Sequence, residues 1–377
     1  MIKIVDQIAC KFSIGDIEDF ISPNNLHEFV LYETAGNLRP VIELTFTIEN
    51  TKLINYLNPG NILRVSFGIN EPSKDVIQFE LFGDNTDREV SFGYTTTIKA
   101  SLYIPKFTSL EGCSDYKNKT SLEVIKEIAN KHKFNLHTNI TRTNDRQNWE
   151  RNGKTEWQYM HDLWKHSYIN DDTFTAFAFD ADNMYFYDIK QLVKSGAKWL
   201  FTNKYEGSVN SNIVNIGGYK TQNIYGKLND LVGKNSKNTT FNFDNSNIFD
   251  TTYKLKTFST IDTNKLNLNI NNCLQHNYSF ITDDVHANYV KAAEQNIRNN
   301  IMYSSFIISL STAGQFKKLR LFDTVSFDLE PKDNRLDGIA FITSITYQYV
   351  DRHLVISLIL NKESPSGIKS TNLKIGD

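Results

Sequence analysis

Cysteine is scarce in this chain of 377 residues: Cys10, Cys113 and Cys273 lie more than a hundred positions apart and form no CxxC pair. Neither a disulfide framework nor a cysteine zinc site is expected. An excess of either charge is also missing, because 41 Lys and Arg against 43 Asp and Glu leave a formal net charge of −2. Such a balance offers no general attraction for nucleic acid or an anionic membrane. No apolar run approaches the ~20 residues of a membrane helix, and Met1-Ile2-Lys3-Ile4-Val5-Asp6 lacks a basic region followed by a signal-length apolar core. The expectation is a chain made and folded in a cytoplasm. Asn-x-Ser/Thr triplets such as Asn118-Lys119-Thr120 then read as products of an Asn-rich composition, not as glycosylation sites.

Proline is sparse as well, at 7, whereas 25 Phe and 18 Tyr give a heavy aromatic load. Aromatic and β-branched residues favour strands, so the fold class expected is α+β and β-rich. Length allows roughly two or three domains. From Phe29 to about Ile104 the pattern is strand, turn, strand. Ile42, Leu44, Phe46 and Ile48 alternate with polar positions, Asn58-Pro59-Gly60-Asn61 is a strong turn, and a strand from Val76 to Phe82 precedes a turn at Gly83-Asp84-Asn85. A long strand from about Val90 to Leu102 completes a first barrel or small sandwich, assigned to residues 1–105.

Residues 106–205 read as an α/β module, whose stretch from Thr120 to Asp188 concentrates three of the four tryptophans. Thr120 with Glu123, and Thr155 with Gln158, are capping-box pairs that predict helices over about 121–132 and 156–168. The second helix places Trp157, Met160, Trp164 and Tyr168 on one stripe, and a hairpin over 174–188 follows. Trp157, Met160, Trp164, Phe177 and Phe179 are the expected module core. Trp149, in the connection, is the tryptophan expected to be most exposed.

Strand-like text returns over 206–220 and 303–362, which form a second β-region. Between them, 221–302 reads as an excursion with short strands and a helix over 284–302, started by Asp283 or Asp284. Its apolar stripe would be Val285, Tyr289, Ala293, Ile297 and Ile301. The tail, 363–377, has no apolar period and is expected to fray. The two β-regions share a pattern. Val65-Ser66-Phe67, a turn with Pro72, and Ile77 and Phe79 match Val325-Ser326-Phe327, a turn with Pro331, and Ile339 and Phe341. The spacing between the two Phe residues is 12 in one copy and 14 in the other.

No arrangement that carries chemistry survives inspection. Gly226 to Asn235 resembles a phosphate loop but has Asn where Ser or Thr should hold magnesium. Asp180-Ala181-Asp182-Asn183 opens like a calcium loop, yet Met184 and Tyr185 occupy the next positions, so a hairpin turn is the reading. His161 and His166, five apart on a helix, face different directions, and solvent-facing or capping roles are expected. The expected catalytic, cofactor and metal residues are therefore none.

The order of parts, however, resembles a known family. Ser121-Leu122-Glu123-Val124-Ile125 opens a helix, Trp149 precedes the second helix, Thr155 to Trp164 lie on it, and Phe177-Ala178-Phe179-Asp180 leads into Tyr185-Phe186-Tyr187-Asp188. The Tyr289 to Ile301 helix, Leu321-Phe322-Asp323-Thr324-Val325-Ser326-Phe327 and a closing hairpin from Phe341 to Leu360 follow. In this order and nearly over its whole length the chain is similar to the baseplate hub proteins of contractile-tailed bacteriophages, of the T-even central hub type. Phage late control D proteins and the N-terminal part of type VI secretion spike proteins are relatives of that family. The Pro-Gly usual before the last key strand is absent, since Leu319-Arg320-Leu321-Phe322-Asp323 keeps only the Asp.

The resemblance implies a structural virion protein with two tail-tube-like β-barrels joined by the inserted module. It implies a homotrimer whose six barrels adapt a sixfold tail tube to a threefold central spike around a DNA channel. Expected partners are the spike below, the tube or a tube-initiator protein above, and a tape-measure protein as a further candidate, with no membrane and no sequence-specific nucleic acid. Its expected place is the virion tail baseplate, assembled in the host cytoplasm. The competing class is a tail-associated carbohydrate-binding module or peptidoglycan hydrolase.

Overall fold

The structure is a computed structural model that describes residues 8–22, 24–36, 39–48, 51–69, 72, 74, 76–89, 93–107, 115–151, 153–204, 212–223, 236–253, 275–282, 284–312, 318–350 and 353–362. Several expectations fall outside these residues: the phosphate-loop-like stretch, Asp283, Cys113, Cys273 and the tail.

Six strands come first: β1 (Ile8–Ile14), β2 (Leu26–Thr34), β3 (Val41–Ile48), β4 (Ile62–Ile69), β5 (Ile77–Glu89) and β6 (Gly93–Leu102). The pleat sorts their side chains. In β3 the residues Ile42, Leu44, Phe46 and Ile48 are buried while their neighbours are not. Each large apolar side chain so buried stabilises the fold by about 1.5–3 kcal/mol. At the turn before β4, Gly60 sits at φ +89°, a conformation glycine adopts without the Cβ clash of other residues. Gly83 does not end a strand as the sequence suggested. β5 runs on to Glu89, and the step between Leu81 and Gly83 is a bulge against β6, which is the other thing an isolated strand glycine marks.

The α/β module follows with β7 (Tyr116–Lys119), α1 (Ser121–Lys131), β8 (Asn135–His137), β9 (Gln147–Trp149), α2 (Glu156–His166), β10 (Thr175–Phe179), β11 (Asn183–Asp188) and the short α3 (Ile189–Lys194). Both helices open on full capping boxes, Thr120 with Glu123 and Thr155 with Gln158. β10, β11 and β8 form one small sheet, with β8 parallel to β11, and β7 pairs with β9 in another.

The remaining elements are β12 (Trp199–Thr202), β13 (Ile213–Asn223), β14 (Ser236–Asn242), β15 (Ile248–Tyr253), β16 (Gln275–Ile281), α4 (Tyr289–Tyr303), β17 (Phe306–Thr312), β18 (Thr324–Asp328), β19 (Ala340–Val350) and β20 (His353–Lys362). β14, β15 and β16 make a separate three-stranded sheet. The strands β12, β13, β17, β20, β19 and β18 close on themselves as a six-stranded barrel, because β19 pairs with both β18 and β20. β12 lies within the 106–205 stretch that the sequence assigned to the module, yet its partners are the barrel strands β13 and β18. A four-residue apolar strand beside a helix is too short for periodicity to assign.

β2 joins the first group to the barrel by pairing antiparallel with β19, so one twelve-stranded sheet runs through both. If the strands of each group are numbered in chain order, the first group reads 1-4-5-6-3-2 across the sheet. The barrel reads 1-4-5-6-3-2 as well, with β12 as strand 1 and β20 as strand 6. Two differences separate them. β12 is parallel to both of its neighbours whereas β1 is antiparallel to β4, and among the described residues β1 does not pair with β2.

Candidate interaction surface

The sequence-matched pairs of strands fall on the fourth and fifth strands of the two groups, β4 with β18 and β5 with β19. Val65 and Val325 are both fully buried, Val65 opposite Phe12 and Val325 opposite Ala340. Phe67 is buried and Phe327, half-buried, packs edge-on against Phe201 at 5.9 Å. On the fifth strands the match slips by one residue. Ile77 and Phe79 share the buried face with Val65 and Leu63, but Ile339 precedes β19 and Phe341 points out of the barrel. Its ring meets Tyr303 at 5.9 Å and Phe322 at 6.5 Å, while Ala340 and Ile342 fill the interior. A one-residue shift reverses the face of every side chain, and counting from Phe to Phe cannot detect it.

Each fifth strand carries a bulge near the point where its fourth-strand partner ends. In β5 the bulge lies between Leu81 and Gly83, and in β19 between Ile342 and Ser344. Beyond the bulge β19 has an edge that β18 no longer covers, and β2 occupies it, from Ser344 opposite Thr34 to Val350 opposite Glu28. The Ala35 N–H closes the junction by donating to the Thr343 carbonyl at 2.8 Å. On the outer face, opposite the apolar interiors, hydroxyl and polar groups pair across strands. Thr34 meets Ser344 at 3.1 Å, Thr45 meets Thr97 at 2.9 Å, and the Gln348 Nε2 donates to Glu28 Oε1 at 2.7 Å. The outer face of β6, β3, β2, β19, β20 and β17 thus carries these polar pairs and the Lys99–Glu43 ion pair, with Tyr32, Val355 and Ile359 exposed among them.

The module core contains Met160, Phe177 and Phe179 fully buried, with Trp157 and Trp164 half-buried against it. Trp157 and Phe107 both contact the Phe179 ring, at 5.2 and 5.7 Å. The buried stripe of α2 is Glu156, Tyr159, Met160, Leu163 and His166, turned from the tryptophan stripe the sequence suggested. Trp149, expected to be exposed, is buried: its indole N–H donates to the Lys119 carbonyl at 2.8 Å and its own carbonyl accepts from Tyr159 Oη at 3.0 Å. β7 pairing with β9 is what covers it, and a three-residue strand leaves no sequence signal. The Trp164 indole N–H is bonded too, to the Thr175 carbonyl at 2.6 Å. Buried Glu156 accepts from Lys131 at 2.5 Å and also bonds His132. These partners hold its carboxyl below the usual range although burial works the other way.

The excursion helix differs most from its expected form. α4 begins at Tyr289, Ile297 stands 40% exposed, and the buried face is lined by the amides of Gln295, Asn296 and Asn299 beside Ala292 and Ala293. The Asn296 side chain donates to the carbonyls of Ser167 and Trp164 at 2.9 and 3.1 Å and accepts from the Thr175 hydroxyl at 3.0 Å. Gln295 and Asn299 donate to the Thr173 carbonyl at 2.7 and 3.0 Å. These bonds satisfy carbonyls left over at the end of α2 and just before β10. His166, buried and not solvent-facing, stacks on Tyr289 at 3.6 Å and donates to its carbonyl. Burial pushes its pKa down to about 3. His161 lies edge-on to Trp157 and Phe177. No group of three or more His, Cys, Asp and Glu among the described residues is placed to hold a metal ion.

Other large apolar side chains are exposed away from that outer face. Phe243, Ile248, Tyr278 and Phe280 of the three-stranded sheet and its turn are each more than 60% exposed. Phe82, the bulge residue of β5, is 53% exposed.

No family model and no curated protein matches this chain. Its fold is shared with solved structures of tail proteins. One is a tail protein from Neisseria meningitidis, 9% identical, covering 96% of this chain and 98% of that one with a TM-score of 0.56. Another is the 43 kDa tail protein of prophage MuSo2 from Shewanella oneidensis, 14% identical, covering 95% and 99% with a TM-score of 0.55. A third is an E. coli component of the type VI secretion system, described as structurally similar to the T4 bacteriophage tail proteins gp27 and gp5. It is 12% identical over 94% of this chain and 77% of that one, with a TM-score of 0.51. At these identities the likeness is one of fold.

Proposed function

We propose that this chain is a structural, non-enzymatic component of a phage tail or related injection machine, and specifically a hub that assembles as a homotrimer. The observation that carries the reading is the repeated strand order 1-4-5-6-3-2 in two groups joined edge to edge by β2 and β19. Three such chains present six similar units, the number that adapts a sixfold tube to a threefold spike. The first group serves as an open counterpart of the barrel, and the module with α4 braces the pair from the side.

In this reading the tube or tube-initiator protein binds above, the spike below, and a tape-measure protein within reach of the channel, all in the virion baseplate. The outer face, rich in Thr and Ser, lines the passage. Its hydroxyl pairs and a net charge of −2 per chain do not favour retention of DNA. The carbohydrate-binding alternative loses its proposed platform, because Trp149 is buried and the indole N–H groups of both Trp149 and Trp164 are satisfied within the fold.

Native mass spectrometry and sedimentation of the full chain, alone and with its spike partner, test this. A trimer at micromolar concentration is expected, and a monomer under both conditions would count decisively against the hub.

A further inference from the structure

We infer that the cleft between the α/β module and the barrel, beside Arg320, is a docking site for an acidic segment of a partner protein. The inference goes beyond the hub reading and does not depend on the number of copies in the assembly. The cleft, about 370 Å³, lies between β8 and β11 of the module, the turn after α3, and the loop that leads into β18. Its walls include His137, Tyr185, Tyr187, Leu192, Lys198 and Arg320.

Charge sets this place apart. The two segments that flank it, 190–198 and 318–324, hold five cations, Lys190, Lys194, Lys198, Lys318 and Arg320, against the single carboxylate of Asp323. The whole chain, by contrast, has a net charge of −2. Lys190 pairs with Asp172 at 3.5 Å and Lys198 with Asp323 at 2.7 Å. Both oxygens of Asp323 are engaged, since the second accepts from the Trp199 indole N–H at 2.8 Å and from the Arg320 backbone N–H at 3.1 Å. Lys194, Lys318 and Arg320 are exposed and make no ion pair among the described residues. An exposed cluster of one sign raises the local concentration of the opposite sign and steers its approach.

The walls select among anions. Tyr185 and Tyr187 share a face of β11, and His137, opposite Tyr185 on β8, stacks on the Tyr185 ring at 5.3 Å. Phe322 reaches across from the barrel loop and meets the rings of Tyr185 and Tyr187 edge-on, at 6.5 and 6.0 Å. It does so at φ +67°, a left-handed conformation that is rare for a bulky residue. Arg320 lies close enough to both phenols to oppose the upward shift that burial imposes on their pKa values. A guanidinium fork beside these rings takes a carboxylate through two parallel hydrogen bonds. Phosphate would fit the same fork, but single-stranded nucleic acid also needs open ring faces on which its bases stack. The faces of Tyr185 are already taken, by His137 and by Tyr187 at 6.3 Å. Leu192 and Ala197 add apolar wall, which suits the residues beside a Glu or Asp in a peptide and offers nothing to a sugar phosphate backbone.

The test uses the full chain and a fluorescein-labelled hexaglutamate peptide. Fluorescence anisotropy is expected to show binding that weakens as salt is added. Carbodiimide coupling is expected to join the peptide's carboxylates to Lys194, Lys198 or Lys318, as mapped by mass spectrometry. Arg320→Ala should weaken binding about tenfold or more, and Lys194→Ala by a smaller factor. Lys126→Ala, which removes an exposed cation of α1, should leave it unchanged. Circular dichroism checks that each variant is folded. Peptide binding that ignores both Arg320→Ala and Lys194→Ala, cross-links that fall elsewhere, or no binding at all overturns the site. Oligothymidylate that binds more tightly and displaces the peptide assigns the cleft to nucleic acid and overturns it too. None of these results bears on the hub, whose trimer is read separately by native mass spectrometry.

Discussion

The two six-stranded groups are built to one plan and finished differently, and the finish decides what each can do. In the barrel, β12 slots between β13 and β18 and closes the wall. In the first group β1 pairs with β4 alone among the described strands, and the side of β2 that could have closed on it is given to β19. Closure gives one unit an independent wall, whereas leaving the other open supplies the joint between them. Identical topology therefore does not mean identical role.

The sharpest way to break the comparison is to remove the aromatic anchor of strand 1 in each group. Phe201→Ala in β12 should cost about 3–5 kcal/mol in denaturant unfolding, since it empties a fully enclosed site. Phe12→Ala in β1 should fall at the lower end of that range, because an edge strand can settle into the space. Equal costs would mean that closure adds nothing. Next in size, Asn296→Ala should lower stability by about 2–3 kcal/mol, because it strands the Thr175 hydroxyl and several carbonyls. Hydrogen exchange should localise the loss to the module and α4 and spare β1 to β6.

Acid should separate the halves as well. Burial holds His166 neutral in the fold, with its pKa pushed down to about 3 from the ordinary imidazole value of about 6.5. Its contribution is complete above pH 6.5 and is lost as pH falls toward 3, up to about 3 kcal/mol by pH 4. Glu156, whose folded pKa is depressed, adds stability above the unfolded carboxylate range that disappears as pH drops through its folded value. His166→Gln should flatten the first limb in pH-dependent melting without changing the exchange rates of β1 to β6. The smallest expected effect is Thr155→Ala, about 1 kcal/mol from loss of the α2 cap, measured by thermal melting.

What was legible in the sequence was local. Thr120 with Glu123 and Thr155 with Gln158 announce their helices because both partners of a capping box lie within four residues. Ile42, Leu44, Phe46 and Ile48 announce a half-buried strand by alternation alone. The fourth strands of both groups, with Val65 and Val325, were visible as a short pattern. What stayed hidden depends on distant partners. Trp149 is covered because β7 pairs with β9, and the amides of α4 are buried because they face the carbonyls of another element. Phe341 turned outward through register, and β12 belongs to the barrel although it follows the module directly. The interaction surface was the least legible of all, because strand edges are defined by what does not pair with them.

The junction of β2 with β19 also has a consequence in time. Thr34 meets Ser344 across a separation of 310 residues. At ~5–20 residues per second, the edge of β2 leaves the ribosome about 15–60 seconds before its partner exists. During that interval the first group must hold together as an open sheet with one bare side, a state that invites the wrong strand. A nascent chain arrested before β19 is therefore expected to be the species that aggregates or occupies chaperones, and completion of synthesis, not collapse of the first group, is the step that makes it safe.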